Sequence, residues 1–182
     1  MTIKLYDFEL SGNCYKVRLL MSFLGLEHEL LPVNFMAGEH KSPKLLRLNS
    51  LGQVPVLTDG DLVLADSQAI LVYLARKYGN ETWLPNDAES LSRIVRWLSI
   101  SAAEIRQGVA TARLFYLLNN KGIDIEAVTE KSTIMLQQLE QHLTDRKWLE
   151  LGHSTIADIA MFPYVALAPD GKIPLKPYPQ IL

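Results

Sequence analysis

Ser11, Asn13 and Cys14 stand where a short strand pattern gives way to a helical one, and they are the residues best placed to do chemistry. A hydroxyl at a strand-to-helix turn can donate to an anion, and the free N–H groups of the first helical turn add to that effect. Ser11 and Asn13 are equally good helix caps, so capping and donation both stay open for them. Cys14 is the one cysteine of the chain. In a first helical turn a thiol can have a lowered pKa and act as a nucleophile. The blander role is a small buried apolar residue, which free cysteine often is. Tyr6, at the end of the strand pattern, is a rival hydroxyl, read more simply as a strand aromatic packed on one face.

Two further pairs carry possible chemistry. Asp66-Ser67 precedes a helical pattern, where the Ser67 hydroxyl and backbone N–H groups can receive a carboxylate, or simply cap the helix. Val54-Pro55 begins a strand pattern, and from the residues alone its peptide bond is expected to be trans. His40 and Lys41 fall in a polar loop, where such side chains are usually solvated. The four histidines (28, 40, 142, 153) show no HxxxH-like spacing, so no metal site is expected. A single cysteine excludes an intrachain disulfide and any multi-cysteine metal centre, and it suits a reducing compartment.

The elements that must position these residues follow from composition and periodicity. The 182 residues are 48% apolar and 21% charged with a net charge of −2, an ordinary globular balance with no basic excess for nucleic acid. No stretch reaches the ~18–20 apolar residues of a membrane span, and Met1 to Asp7 is too polar for a signal segment, so a cytoplasmic protein is expected. Ile3 and Leu5 alternating with Lys4 and Tyr6 predict a strand, and Val17, Leu20, Met21 and Leu24 predict an amphipathic helix ended by Gly25. A strand over Glu29–Phe35 is pushed to a sheet edge by Pro32. Pro43 starts a short helix through Leu48, and strands Val54–Thr58 and Asp61–Leu64 flank the hairpin signal Asp59-Gly60. A helix from Asp66-Ser67 to Tyr78 completes the order βαβαββα in residues 1–78. Residues 79–87 read as a linker. Beyond it Leu91, Ile94, Val95, Leu98, Ala102, Ile105, Val109 and Ala112 predict one unbroken helical seam. A second helix spans Asp124–Leu143, and a third runs from the capping-box pattern Thr155–Asp158 to about Leu167.

The chain resembles a cytosolic glutathione S-transferase of the bacterial serine type over nearly its whole length. Four segments carry the resemblance: Ser11-Gly12-Asn13-Cys14-Tyr15-Lys16-Val17-Arg18; Gly52-Gln53-Val54-Pro55-Val56-Leu57; Asp66-Ser67-Gln68-Ala69-Ile70 with Tyr73-Leu74; and Thr155-Ile156-Ala157-Asp158-Ile159. The resemblance implies a thioredoxin-like N-terminal domain over residues 1–78 and an all-helical domain over 88–182. It implies a glutathione transferase acting on small hydrophobic electrophiles, with glutathione as co-substrate, no metal, and a homodimer. Ser11 is then the catalytic hydroxyl, with Asn13 as a second donor. Val54 would bind the cysteinyl part through its main chain beside a cis Pro55. Gln53, Asp66 and Ser67 would take the γ-glutamyl end, and His40 and Lys41 the glycyl carboxylate.

Phe8, Leu10, Phe115 and Tyr116 are candidates for the electrophile's pocket, and Arg106 and Arg113 for steering acidic substrates. Trp83, Trp97 and Trp148 have no assignable chemistry. A thiol–disulfide reductase using Cys14 is a second enzyme class, and a transferase-like interaction module a third. Against the family the chain reads as short, so the helical domain is expected to lack its last helix.

Overall fold

Alternation in the first residues does form a strand, β1 (Ile3–Asp7), with Ile3 and Leu5 buried and Lys4 exposed between them. The computed structural model describes residues 2–182, divided into two units, Met1–Glu81 and Thr82–Leu182. In the first unit β1 is followed by α1 (Gly12–Phe23), β2 (His28–Pro32), a 3-10 turn at Glu39–Lys41 and α2 (Pro43–Leu48). Then come β3 (Val56–Asp59), β4 (Leu62–Ala65) and α3 (Ser67–Lys77). The sheet order is β2-β1-β3-β4. β1 runs parallel to β2, with Ile3 opposite His28, and antiparallel to β3, with Leu5 opposite Leu57. Helices α1 and α3 pack on each other, and Val17, Leu20 and Met21 of α1 join Leu5, Leu57, Ile70, Leu71 and Leu74 in a solvent-free core. Each such side chain contributes about 1.5–3 kcal/mol by leaving water. This is a thioredoxin-like unit.

The structure shifts several expected boundaries. β2 stops at Pro32, not Phe35, because the chain turns there: Val33 still donates to the Asp7 carbonyl at 2.7 Å, but Phe35 N–H closes back onto Val33 O. β3 begins at Val56 because the Val54–Pro55 peptide is cis, which corrects the trans expectation drawn from the residues alone.

Unit two is helical throughout: α4 (Ala88–Ile100), a π-helical stretch Ser101–Ala110, α5 (Thr111–Leu117), α6 (Ile125–Leu143), α7 (Ile156–Ala166) and a 3-10 turn Ala168–Gly171. The expected seam from Leu91 to Ala112 is therefore helical but not uniform. Widening to i→i+5 bonding re-phases its face. Ile94, Leu98, Ser101, Ile105 and Val109 are buried, while Val95 and Ala102 are exposed. The Ser101 hydroxyl donates to Ala160 O of α7 at 2.7 Å. The Thr155–Asp158 capping box forms: Thr155 N donates to Asp158 Oδ2 at 2.8 Å.

Arg113 is not available to steer a substrate. It is 6% exposed and its Nε lies 2.9 Å from Asp170 Oδ2. Gly171 makes that closure possible, since a Cβ there would stand 2.8 Å from Arg113 N. No helix among the described residues is long and apolar enough to cross a membrane.

At the far end of α3, Asp59 Oδ2 accepts from Tyr73 Oη at 2.6 Å, Tyr78 Oη at 2.5 Å and Lys77 Nζ at 2.8 Å. Lys77 first, then the two hydroxyls, hold the Asp59 carboxyl down at about 2. A carboxyl lowered on folding stabilises above its unfolded pKa of about 3.9 and loses that contribution as pH falls through the folded value. Asp59→Asn should therefore lower the thermal midpoint by several degrees at neutral pH. The gap from wild type should close between about pH 4 and pH 2; equal midpoints at neutral pH would refute the role.

Candidate functional site

Ser11 is the N-cap of α1. Its Oγ accepts from Cys14 N at 3.2 Å, and its own N–H closes a turn onto Phe8 O at 2.8 Å. Capping uses a lone pair of the hydroxyl oxygen and leaves its hydrogen to donate, so the two roles left open by the residues are compatible. Asn13 lies half-buried in the first turn, and its Oδ1 accepts from Ser67 Oγ at 3.2 Å. That bond brings the beginning of α1 against the beginning of α3 and leaves the Asn13 NH2 group as a donor.

Asp66 caps α3, its Oδ1 accepting from Gln68 N at 2.9 Å and Ala69 N at 3.0 Å. Its φ of 77° is unusual for a residue with a Cβ. Such backbone costs about 1–3 kcal/mol and persists where the surroundings over-determine it. Behind it lies Lys16, 1% exposed on the apolar face of α1. Burial pushes the Lys16 ammonium down to about 7, opposed by the charge of Asp66. Sequence reasoning missed Lys16; its one available signal was a lysine beside Val17 on a helix stripe that is otherwise apolar.

Cys14 is not a reactive thiol. It is fully buried, Phe8 N donates to its Sγ at 3.5 Å, and burial raises its pKa to about 12. It stays a neutral thiol at physiological pH, which removes the ground for a reductase built on Cys14. Lys44 of α2 sits over the Tyr6 ring, 5.5 Å from its centroid.

The loop residues join the same unit through packing. The Phe8 and Phe35 rings stack at 5.2 Å, and Phe35 and His40 at 3.9 Å and 9°. This three-ring stack runs from the Ser11 turn to the 3-10 turn that carries His40 and Lys41. His40 Nδ1 is buried without a hydrogen-bond partner among the described residues. Lys41 Nζ donates to Leu51 O at 2.8 Å, next to Gln53, Val54 and Pro55. Asn49, a residue the sequence did not single out, organises that loop: its Nδ2 donates to Gln53 O at 3.0 Å and its Oδ1 accepts from Leu51 N at 3.1 Å. Ser11, Asn13, Asp66 and Ser67 thus form one cluster, and His40, Lys41 and Gln53–Pro55 a second, tied to it through Phe35 and Phe8.

In unit two, Phe115 and Tyr116 pack edge-to-face at 4.9 Å, and Lys172 lies 4.4 Å from the Tyr116 ring centroid. Trp97 is buried and its Nε1 donates to Glu150 Oε1 at 2.9 Å, a structural bond rather than a site. No group of three His, Cys, Asp or Glu residues that could hold a metal occurs among the described residues.

Gly52 is the keystone of the second cluster. At its φ of +58° an added Cβ would stand 2.7 Å from Lys41 Cδ, 2.8 Å from Lys41 Nζ and 3.0 Å from His40 O. Gly52→Ala should cost about 1–3 kcal/mol in strain and displacement. A thermal midpoint unchanged from wild type would show that Lys41 is not held there.

Residues 1–76 match the family model described as glutathione S-transferase, N-terminal domain. Glutathione S-transferase 3 of Zea mays is 36% identical over 164 residues, 86% of this chain and 73% of that protein. Glutathione S-transferase 1 of Dianthus caryophyllus is 37% identical over 122 residues, 67% of this chain and 55% of that one. Among solved structures, a glutathione S-transferase from Pseudomonas fluorescens superposes with a TM-score of 0.93 at 28% identity, covering 100% of this chain and 91% of that one. A possible glutathione S-transferase from Rhodopseudomonas palustris gives 0.91 at 29%, covering 100% and 90%. With the maize relative matched at this identity over most of both chains, the protein belongs to the glutathione S-transferase family.

Proposed function

We propose that unit one binds glutathione and that Ser11 stabilises its thiolate for attack on a small hydrophobic electrophile, making this a serine-type glutathione transferase. The observation that carries the reading is the Ser11 hydroxyl, which caps α1 through its oxygen while keeping its hydrogen for an incoming sulfur. A free thiol with a pKa of about 8.5 is only a few per cent ionised near pH 7. A hydroxyl hydrogen bond and the positive end of α1 favour the anion without a cofactor. The Asn13 NH2 group is a second donor, oriented by the bond from Ser67.

The rest of the tripeptide follows from charge. Its γ-glutamyl carboxylate suits the backbone N–H of Ser67 at the start of α3, the Ser67 hydroxyl being given to Asn13, and its ammonium suits Asp66, with Gln53 reaching the same end. The cysteinyl backbone pairs with Val54 as an added strand beside Pro55. Its glycyl carboxylate suits Lys41, which keeps two ammonium hydrogens after donating to Leu51 O, with His40 beside it. On binding, the thiol proton passes to solvent. The sulfur lone pair then forms the new C–S bond, and the displaced electron pair leaves with a leaving group or settles on a conjugated acceptor atom that is then protonated.

Titrating the ultraviolet thiolate absorbance of bound glutathione tests the assignment. Ser11→Ala should raise the bound thiol's pKa by about one unit or more, with a tenfold or larger loss of thiolate near pH 6.5. An unchanged pKa would overturn the role of Ser11. The family resemblance also supports a homodimer and a cytoplasmic site of action, without nucleic-acid or membrane partners. Light scattering at micromolar concentration reads the dimer, and a monomer there would refute it.

A further inference from the structure

Ser11 is held from one side by α1, which it caps; the turn leading into it has no comparable burial. Phe8 is held by its stack on Phe35, but Glu9 and Leu10, which follow it, are both exposed. What crosses that gap is Arg18, about two helical turns further along α1. One terminal nitrogen of its guanidinium pairs with Asp7 Oδ1, and the other donates to Glu9 O at 3.1 Å. Asp7 is itself anchored, because its carbonyl accepts from Val33 N at 2.7 Å and its side chain is only 11% exposed. The Tyr15 ring lies 5.7 Å from the guanidinium carbon and limits its swing. The turn is closed at its other end by Ser11 N donating to Phe8 O at 2.8 Å.

We infer that Arg18 is a positioning residue for the thiolate site: its guanidinium fork ties the sheet-anchored Asp7 and the exposed Glu9 carbonyl to α1, and so sets where the Ser11 hydroxyl points. The fork is essential to this role. Arginine presents two parallel donors in a fixed plane, whereas a lysine ammonium is a single point on a flexible stem and cannot hold both acceptors in the same geometry. The contacts of Arg18 are Asp7, the Glu9 carbonyl and the Tyr15 ring, none of them assigned to the tripeptide, so its influence falls on thiol ionisation and not on tripeptide affinity. The inference rests on the assignment of Ser11.

Arg18→Met and Arg18→Lys, with Ser11→Ala and Tyr78→Phe alongside, separate the possibilities. Tyr78→Phe weakens the Asp59 network at the other end of α3 and controls for lost stability alone. Arg18→Met should raise the pKa of bound glutathione's thiol by about one unit and lower kcat near pH 6.5 about tenfold, with KM for glutathione within about twofold. Arg18→Lys should be restored only in part, with about a threefold loss of kcat, and it serves as the test if the methionine variant does not fold. A Tyr78→Phe protein of matching thermal midpoint should keep the wild-type thiol pKa. The clamp is overturned if both Arg18 variants keep that pKa while Ser11→Ala raises it, or if lysine restores it fully. If Ser11→Ala also leaves it unchanged, the Ser11 assignment itself fails and the clamp goes with it.

Discussion

Two helices of unit one begin side by side, joined where Ser67 of α3 donates to Asn13 of α1 at 3.2 Å. Each helix start carries roughly half a positive charge from its aligned peptide dipoles. Setting two such ends together is unfavourable until negative charge arrives, and Asp66 supplies part of it by capping α3. Lys16 lies buried near the same carboxylate, whose charge opposes the loss of its proton that burial favours. The result is a patch where the Ser11 hydroxyl and the Asn13 NH2 group, which no bond among the described residues uses as donors, lie beside two helix starts whose dipoles favour negative charge. The sheet, the α1–α3 packing and the strained Asp66 backbone all serve to keep those two helix starts in register.

The same helix is fixed at both ends by aspartates that do different work. Asp66 accepts backbone N–H groups and tolerates a φ of 77°, a strained conformation at the ligand end. Asp59 gathers two tyrosines and a lysine at the other end, where hydrogen bonds and charge agree and no strain is present. Stability held at one end can offset strain kept at the other, which is the usual relation between a scaffold and its site. In the helical unit, Arg113 and Asp170 act as a comparable internal fastener for α5, with Gly171 allowing the backbones to approach.

Most of the element order was legible because local signals agreed with one another. Asp59-Gly60 between two apolar runs forms the β3–β4 hairpin, Ser11 and Asp66 cap helices, and Thr155 with Asp158 forms its box. The failures share a different cause. The cis bond at Val54–Pro55, the π-helical stretch at Ser101–Ala110 and the early end of β2 depend on what the chain packs against. So do the burial of Arg113 and the inertness of Cys14, because a residue type does not report its own solvent exposure. Asn49 escaped notice for a related reason: its partners are a backbone carbonyl and a backbone N–H, which leave no trace in residue identity. Arg18 escaped it because one partner is the Glu9 carbonyl and the other, the Asp7 carboxylate, meets it only once α1 packs on the sheet.

By itself the amino-acid sequence determined the βαβαββα order, the helical second half, and which residues could serve as hydroxyl donors and anion receivers. Those properties are set by periodicity, turn chemistry and side-chain type, all of which act over a few residues. Tertiary structure alone decided that Asn13 meets Ser67 across 54 positions of chain, that Phe8, Phe35 and His40 stack, and that Lys41 lies over Gly52. It also set the two candidates at the start of α1 apart in exposure, leaving Ser11 half-exposed and sealing Cys14 from water. Proximity between distant residues and the loss of solvent around a thiol arise only when the core closes, and a short window of sequence encodes neither.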